Sequence, residues 1–175
     1  MNYFQLFDIE ASFDVDLNQL SQTYQTLQKA VHPDKFAHAS AQEQLIAVQK
    51  SSQINDGYQT LKQPLKRAEY LLTQRGVELP NEQQSFSDNS FLMRQMELRE
   101  MLAEVKFADD IDGAVFEANQ VLEVEFDALY KDMQIQLAQN TQASDELACE
   151  LLRKLKFYKK LHVELDRLED LLFEG

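Results

Sequence analysis

Only four glycines and three prolines interrupt the 175 residues, and between Pro80 and the final Gly175 the sole breaker is Gly113. Such a stretch, rich in Leu, Gln, Glu, Lys and Ala and without strand-like alternation, favours long helices. We expect three beyond the midpoint, from about Asp88 to Val105, Asp112 to Ala138 and Ser144 to Phe173. The second carries the stripe Val115, Leu122, Phe126, Leu129, Met133 and Leu137. The third carries Leu147, Leu151, Leu155, Tyr158, His162, Leu165, Leu168 and Leu172. Each is polar behind its stripe, so none suits burial all round, and an antiparallel three-helix bundle is the economical packing.

The N-terminal part reads as shorter helices. Tyr3, Phe4, Leu6, Phe7 and Ile9 form an apolar opening segment. Asp16 offers an N-cap to a helix whose face is Leu17, Leu20, Tyr24, Leu27 and Val31. Ser40 and Glu43 form a capping box for another, with Ala47, Ser51, Ile54, Tyr58 and Leu61 inward, joined by Leu45 and Val48. Two helices on a short connection lie antiparallel, which puts residues 32–40 at the tip of a hairpin. His32-Pro33-Asp34 makes the break, because proline fixes its own backbone and pushes the preceding residue out of helical geometry. The tripeptide alone leaves two readings open, an ordinary turn and a stiff exposed recognition signal. Pro64 opens a further helix that runs to Gly76, and residues 77–87, with Pro80 and a polar run, form the expected linker. The expected domains are therefore 1–76 and 88–175.

Charge narrows the partners. Residues 1–76 carry seven basic and eight acidic side chains, whereas residues 77–175 carry ten and twenty-two. Duplex nucleic acid needs a basic footprint, so it is not the expected partner; the acidic half suits a protein with a basic patch. No apolar run is long enough to span a membrane, and no basic leader precedes an apolar segment, so a cytoplasmic protein is expected. The single cysteine, Cys149, excludes an internal disulfide framework and reads as a small helix-face residue. Enzyme chemistry finds little support. There is no glycine-rich phosphate loop or nucleophile elbow. His32, Asp34 and His38 are metal-compatible types but share one loop with no second cluster, and His162 falls on a helix stripe. No cofactor is implied.

A second stretch stands out in residues 91–104. At ~100° per residue, Phe91, Leu98, Met101, Leu102 and Val105 share one side as the expected core. Leu92, Met93 and Met96 fall opposite, together with Glu97, Glu100 and Glu104. Apolar groups rimmed by charge suit a protein-binding surface, and methionine suits it through its flexibility. Contact with the linker, the N-terminal domain or a neighbouring helix accounts for the pattern equally well. Phe157 lies off its own stripe and is a candidate to join the patch.

The hairpin with His-Pro-Asp at its tip resembles a J-domain, the module by which co-chaperones engage DnaK-type chaperones. That resemblance implies chaperone contact and ATPase triggering through His32, Pro33 and Asp34, with Lys29 and Lys35 beside them. The family uses basic residues on the helix before the loop; here Gln22, Gln25 and Gln28 stand where charges are expected, which suggests a dedicated chaperone.

Four motifs in order sharpen the likeness: Met1, Tyr3, Phe4, Leu6 and Phe7; His32 to Phe36; Pro64-Leu65 with Arg67 to Leu72; and Phe91-Leu92-Met93 with Gln95, Glu97, Leu98, Arg99 and Glu100. Together they resemble the HscB co-chaperone family across essentially the whole chain. The family pairs a J-domain with a C-terminal three-helix bundle that binds the iron–sulphur scaffold (IscU type) and delivers it to the chaperone HscA. By resemblance, Leu92, Met93, Met96, Glu97, Glu100, Glu104 and Phe157 match the scaffold-binding positions, Met96 standing where leucine is common. The resemblance implies a non-enzymatic adaptor in iron–sulphur cluster assembly. The alternative is a J-domain co-chaperone with a different client. With no cysteine pairs ahead of the J-domain, a bacterial-type protein is expected.

Overall fold

Every regular element among the described residues, 1–174 of the computed structural model, is helical. Gly175, the last residue of the expected bundle, lies outside them. The chain divides into two units at Glu78 and Leu79.

The first unit holds α1 (Tyr3–Leu6), α2 (Leu17–Val31), a 3-10 turn (Pro33–Phe36), α3 (Ala41–Lys62) and α4 (Pro64–Gln74). A four-residue helix cannot persist by hydrogen bonding alone. Packing fixes α1: Phe4 and Phe7 are each 1% exposed, Tyr3 stacks on Tyr70 at 4.8 Å, and the Tyr3 amide donates to the Tyr70 hydroxyl. Its close approach to α3 depends on Gly57, where a Cβ would stand 3.0 Å from both the Phe7 and the Tyr3 rings. Asp16 caps α2 by accepting the Asn18 and Gln19 amides, as its position predicts. Leu20, Ala47, Ile54 and Leu61 meet in the hairpin core, which α4 closes with Leu65, Ala68, Leu71 and Leu72.

Leu45 and Val48 depart from expectation, being 57% and 51% exposed. Their rotation explains it: Val48 lies ~100° and Leu45 ~160° around α3 from Ala47, off the line that Ala47, Ile54 and Leu61 follow.

The second unit holds α5 (Asn89–Glu104), a 3-10 turn (Val105–Phe107), α6 (Ile111–Gln139) and α7 (Gln142–Phe173), the antiparallel three-helix bundle. Asn140, in the left-handed region at φ 50°, ends α6, and Thr141 caps α7 with a reciprocal bond from Ser144. The cap at Thr141 starts α7 two residues before the expected Ser144. At ~1.5 Å per residue α5 spans roughly 24 Å against roughly 43 and 48 Å for α6 and α7, so it covers only part of their length. It inserts Phe91, Leu98 and Leu102, followed by Val105, among Val115, Ala118 and Leu122 of α6 and Tyr158, Leu161 and Leu165 of α7. These contacts lie toward the end away from the turn at Asn140.

On α7 the expected stripe starts on the wrong side. Leu147 is 55% exposed, while Ala148, Cys149, Leu152 and Leu161 are buried. Stepping by fours from Leu147 drifts ~40° per step, so the line reaches the true core only at Leu155. Part of the expected linker is folded onto α7. Phe86 packs edge-on against Phe91 at 4.8 Å beneath the Arg153 guanidinium, and Arg153 donates to the Gln84 carbonyl.

Arg67 shows how the first unit handles a buried charge. It is 5% exposed, donates from Nε to the Phe13 carbonyl and from Nη1 to the Leu61 carbonyl, and stacks on the Phe13 ring at 4.8 Å. Methionine fills similar volume but leaves two carbonyls without these donors. Arg67→Met should lower the unfolding free energy by about 3 kcal/mol, read as a lower urea midpoint.

Candidate functional site

The loop at residues 32–36 is shaped by its proline. His32 sits at φ −56° and ψ 132°, the extended geometry a following proline imposes, and this ends α2. His32 Nδ1 accepts the Asp34 amide at 3.2 Å. The His32 carbonyl accepts the Lys35 amide at 3.0 Å. Both side chains face solvent, His32 at 56% and Asp34 at 94% exposure. Lys29, on the last turn of α2, and Lys35 are also exposed, and a cation at that helix end complements its partial negative charge.

Gln44 anchors the far side of the loop. Its Nε2 lies 3.1, 3.2 and 3.3 Å from the carbonyls of Phe36, Ala37 and Ala39, so its two N–H groups are shared among three carbonyls, the first of which also accepts the Ala39 amide. Beside the loop an open groove of about 730 Å3 runs between α2 and α3, from Tyr24 and Asn55 to His32 and Pro33. Gln28 is committed to this seam: it donates to the Ser51 carbonyl at 3.1 Å and accepts from the Ser51 hydroxyl at 2.8 Å. Gln22 and Gln25 are exposed. The glutamines on α2 thus serve two ends, one holding the hairpin and two facing outward.

In the second unit, burial of Phe91, Leu98 and Leu102 turns the opposite side of α5 to solvent. Met93 and Met96 are 64% and 72% exposed, Leu92 is half-buried, and Glu97, Glu100 and Glu104 are exposed. Phe157 is half-buried at the α5–α7 seam, edge-on to Phe91 at 5.8 Å. Loop and face lie in different units.

Two arginines, absent from the expected site, flank this face. Arg94 donates to Glu125 of α6 and to Glu97 of its own helix, both at 2.7 Å, and the two carboxylates hold its pKa above the ordinary arginine value. The Tyr158 phenol nearby is pushed up to about 12 by burial, with the Glu125 carboxylate adding to the effect. On the other flank Arg99 pairs with Glu164 of α7 at 3.2 Å. Sequence periodicity places both arginines at the margins of α5, but says nothing of partners on other helices. Asp88 caps α5 by accepting the Phe91 amide, and Lys154 at 3.0 Å holds its carboxyl below the usual carboxylate range.

A curated protein from Colwellia psychrerythraea, Co-chaperone protein HscB homolog, is 67% identical over 174 residues, covering 99% of each chain. The chain belongs to the HscB co-chaperone family. A Shewanella halifaxensis HscB homolog is 47% identical over 99% of this chain and 100% of its own. A family model described as HSCB C-terminal oligomerisation domain matches residues 87–166. Among solved structures, the chaperone HscB from Vibrio cholerae has a TM-score of 0.87 at 43% identity, covering 99% of this chain and 100% of its own. Human co-chaperone protein HscB has a TM-score of 0.88 at 31% identity, covering 97% and 82%. The fold is that of HscB: an N-terminal J-domain hairpin and a C-terminal helical bundle.

Among the described residues no helix is long and apolar enough to cross a membrane, and no group of three or more His, Cys, Asp or Glu is placed to hold a metal. Gln44→Ala should leave helicity unchanged while speeding amide hydrogen exchange at Ala39, whose N–H bonds the Phe36 carbonyl. Peptide-resolved exchange over residues 33–40 measures it.

Proposed function

We propose that this HscB-family chain is an adaptor without enzymatic activity of its own, carrying an iron–sulphur scaffold of the IscU type to a dedicated DnaK-type chaperone, HscA, in the cytoplasm. The J-domain, residues 1–76, engages the chaperone through His32, Pro33 and Asp34, with Lys29 and Lys35 flanking. The bundle from residue 88 onward holds the scaffold on Leu92, Met93, Met96, Glu97, Glu100, Glu104 and Phe157. The reading rests chiefly on the exposure of Met93 and Met96 between three unburied glutamates. A bundle has no packing use for two exposed methionines there, whereas a partner with an apolar centre and a basic rim does.

On the chaperone side, a stiff loop with His32 and Asp34 presented outward supports a contact that depends on shape as much as on charge. Tethering client to trigger raises the effective concentration of scaffold near the chaperone, so ATPase stimulation should be greatest with both proteins present. His32→Gln should abolish stimulation of HscA turnover while scaffold binding persists; unchanged turnover would refute the role of the loop. The triple variant Leu92→Ala, Met93→Ala, Phe157→Ala should weaken scaffold binding by more than 100-fold with helicity retained. Full binding by a folded triple variant would refute the client face, and equal capture of an unfolded polypeptide would favour a general client instead.

A further inference from the structure

Arg94 and Arg99 leave opposite sides of α5 and are used differently. Arg94 is consumed by two carboxylates at 2.7 Å. Arg99 spends Nη1 on Glu164 at 3.2 Å and lays its guanidinium carbon 5.5 Å from the centre of the Phe157 ring. A guanidinium has five N–H donors in a fixed plane, so most of those on Arg99 lie outside that bond.

The Phe157 ring is held from within. Phe91 and Tyr158 meet it at 5.8 and 5.9 Å with interplanar angles of 83° and 79°. From outside it is covered by Arg99, whose side chain is 50% exposed, as Glu164 is 37% exposed. An exposed ion pair of this kind contributes little to folding. The pair holds the Arg99 guanidinium over the Phe157 ring at the edge of the α5 face.

We propose that Arg99 and Glu164 extend the client-binding surface across the α5–α7 seam, with Arg99 as a specificity-determining residue. Stacked on Phe157, Arg99 offers its remaining donors to a carboxylate or backbone carbonyl of the scaffold, and Glu164 continues the acidic rim onto α7. The inference rests on Phe157 being a scaffold contact. It adds a charge pattern: basic groups on the client opposite Glu97, Glu100 and Glu104, and one acceptor opposite Arg99. A mixed-sign pattern fixes the orientation of a bound partner, which a uniformly acidic face cannot do.

Calorimetric titration of the full chain with an IscU-type scaffold tests this. Arg99→Gln should weaken binding about fivefold to tenfold, the range of a lost stacked cation with its hydrogen bond. Arg99→Lys should recover less than half of that loss, because an ammonium lacks the planar fork. Glu164→Gln should weaken binding about twofold and reduce its salt dependence. Helicity and the urea midpoint should stay at their parent values in all three. If Arg99→Gln binds as the parent does while Phe157→Ala does not, the inference is overturned and the client face stands. Full rescue by Arg99→Lys would likewise overturn the role of the fork. If Phe157→Ala and Arg99→Gln both bind as the parent does, the client face itself is wrong.

Discussion

Phe91 is the fixed point of the bundle. One buried ring meets Phe86 from the polypeptide leading into α5, and Phe157 and Tyr158 from α7, with the Lys154 ammonium over it. Aromatic pairs at such angles add stabilisation beyond their buried area and restrict rotation. With Phe91 locked inward, helical geometry turns Leu92 about 100° away, Met93 about 200° and Met96 about 140°. The exposed apolar patch is therefore a geometric consequence of a core contact. Its display needs no support from the solvent side.

The first unit obtains its exposed signal by a different constraint. Proline at position 33 ends α2 through sterics, and Gln44 then reaches the loop carbonyls of Ala37 and Ala39 as well as that of Phe36. Backbone groups that would otherwise need water are satisfied by one side chain from α3. A loop held this way has little conformational freedom to lose on binding a partner, which lowers the cost of association.

Much of this was legible in the sequence, for identifiable reasons. The caps at Asp16 and Ser40, the break at Pro33 and the outward set on α5 follow from local rules that tertiary context left intact. What failed were stripes extended by fixed steps. Leu45 and Val48 joined a line they miss by large rotations, and Leu147 began a line that drifts. Helix α7 begins two residues ahead of Ser144 because Thr141 supplies its cap. The roles of Arg94 and Arg99 were illegible for a deeper reason: their partners Glu125 and Glu164 lie on other helices, 31 and 65 residues away. Only packing brings them together.

The two-residue connection at Asn140 and Thr141 has a kinetic side. Contacts between α6 and α7 begin within a few residues of the turn and can zip outward, the cheapest kind of loop closure. Helix α5 lies on the far portion of that hairpin, with Phe91, Leu98, Leu102 and Val105 as its buried anchors. Met133, Leu137, Leu152 and Leu155 are buried on α6 and α7 outside the cluster that α5 completes. The helix that carries the proposed client face is thus the shortest of the three and is joined to the others over the least length. Any partner that grips it adds its binding free energy to the stability of the folded unit.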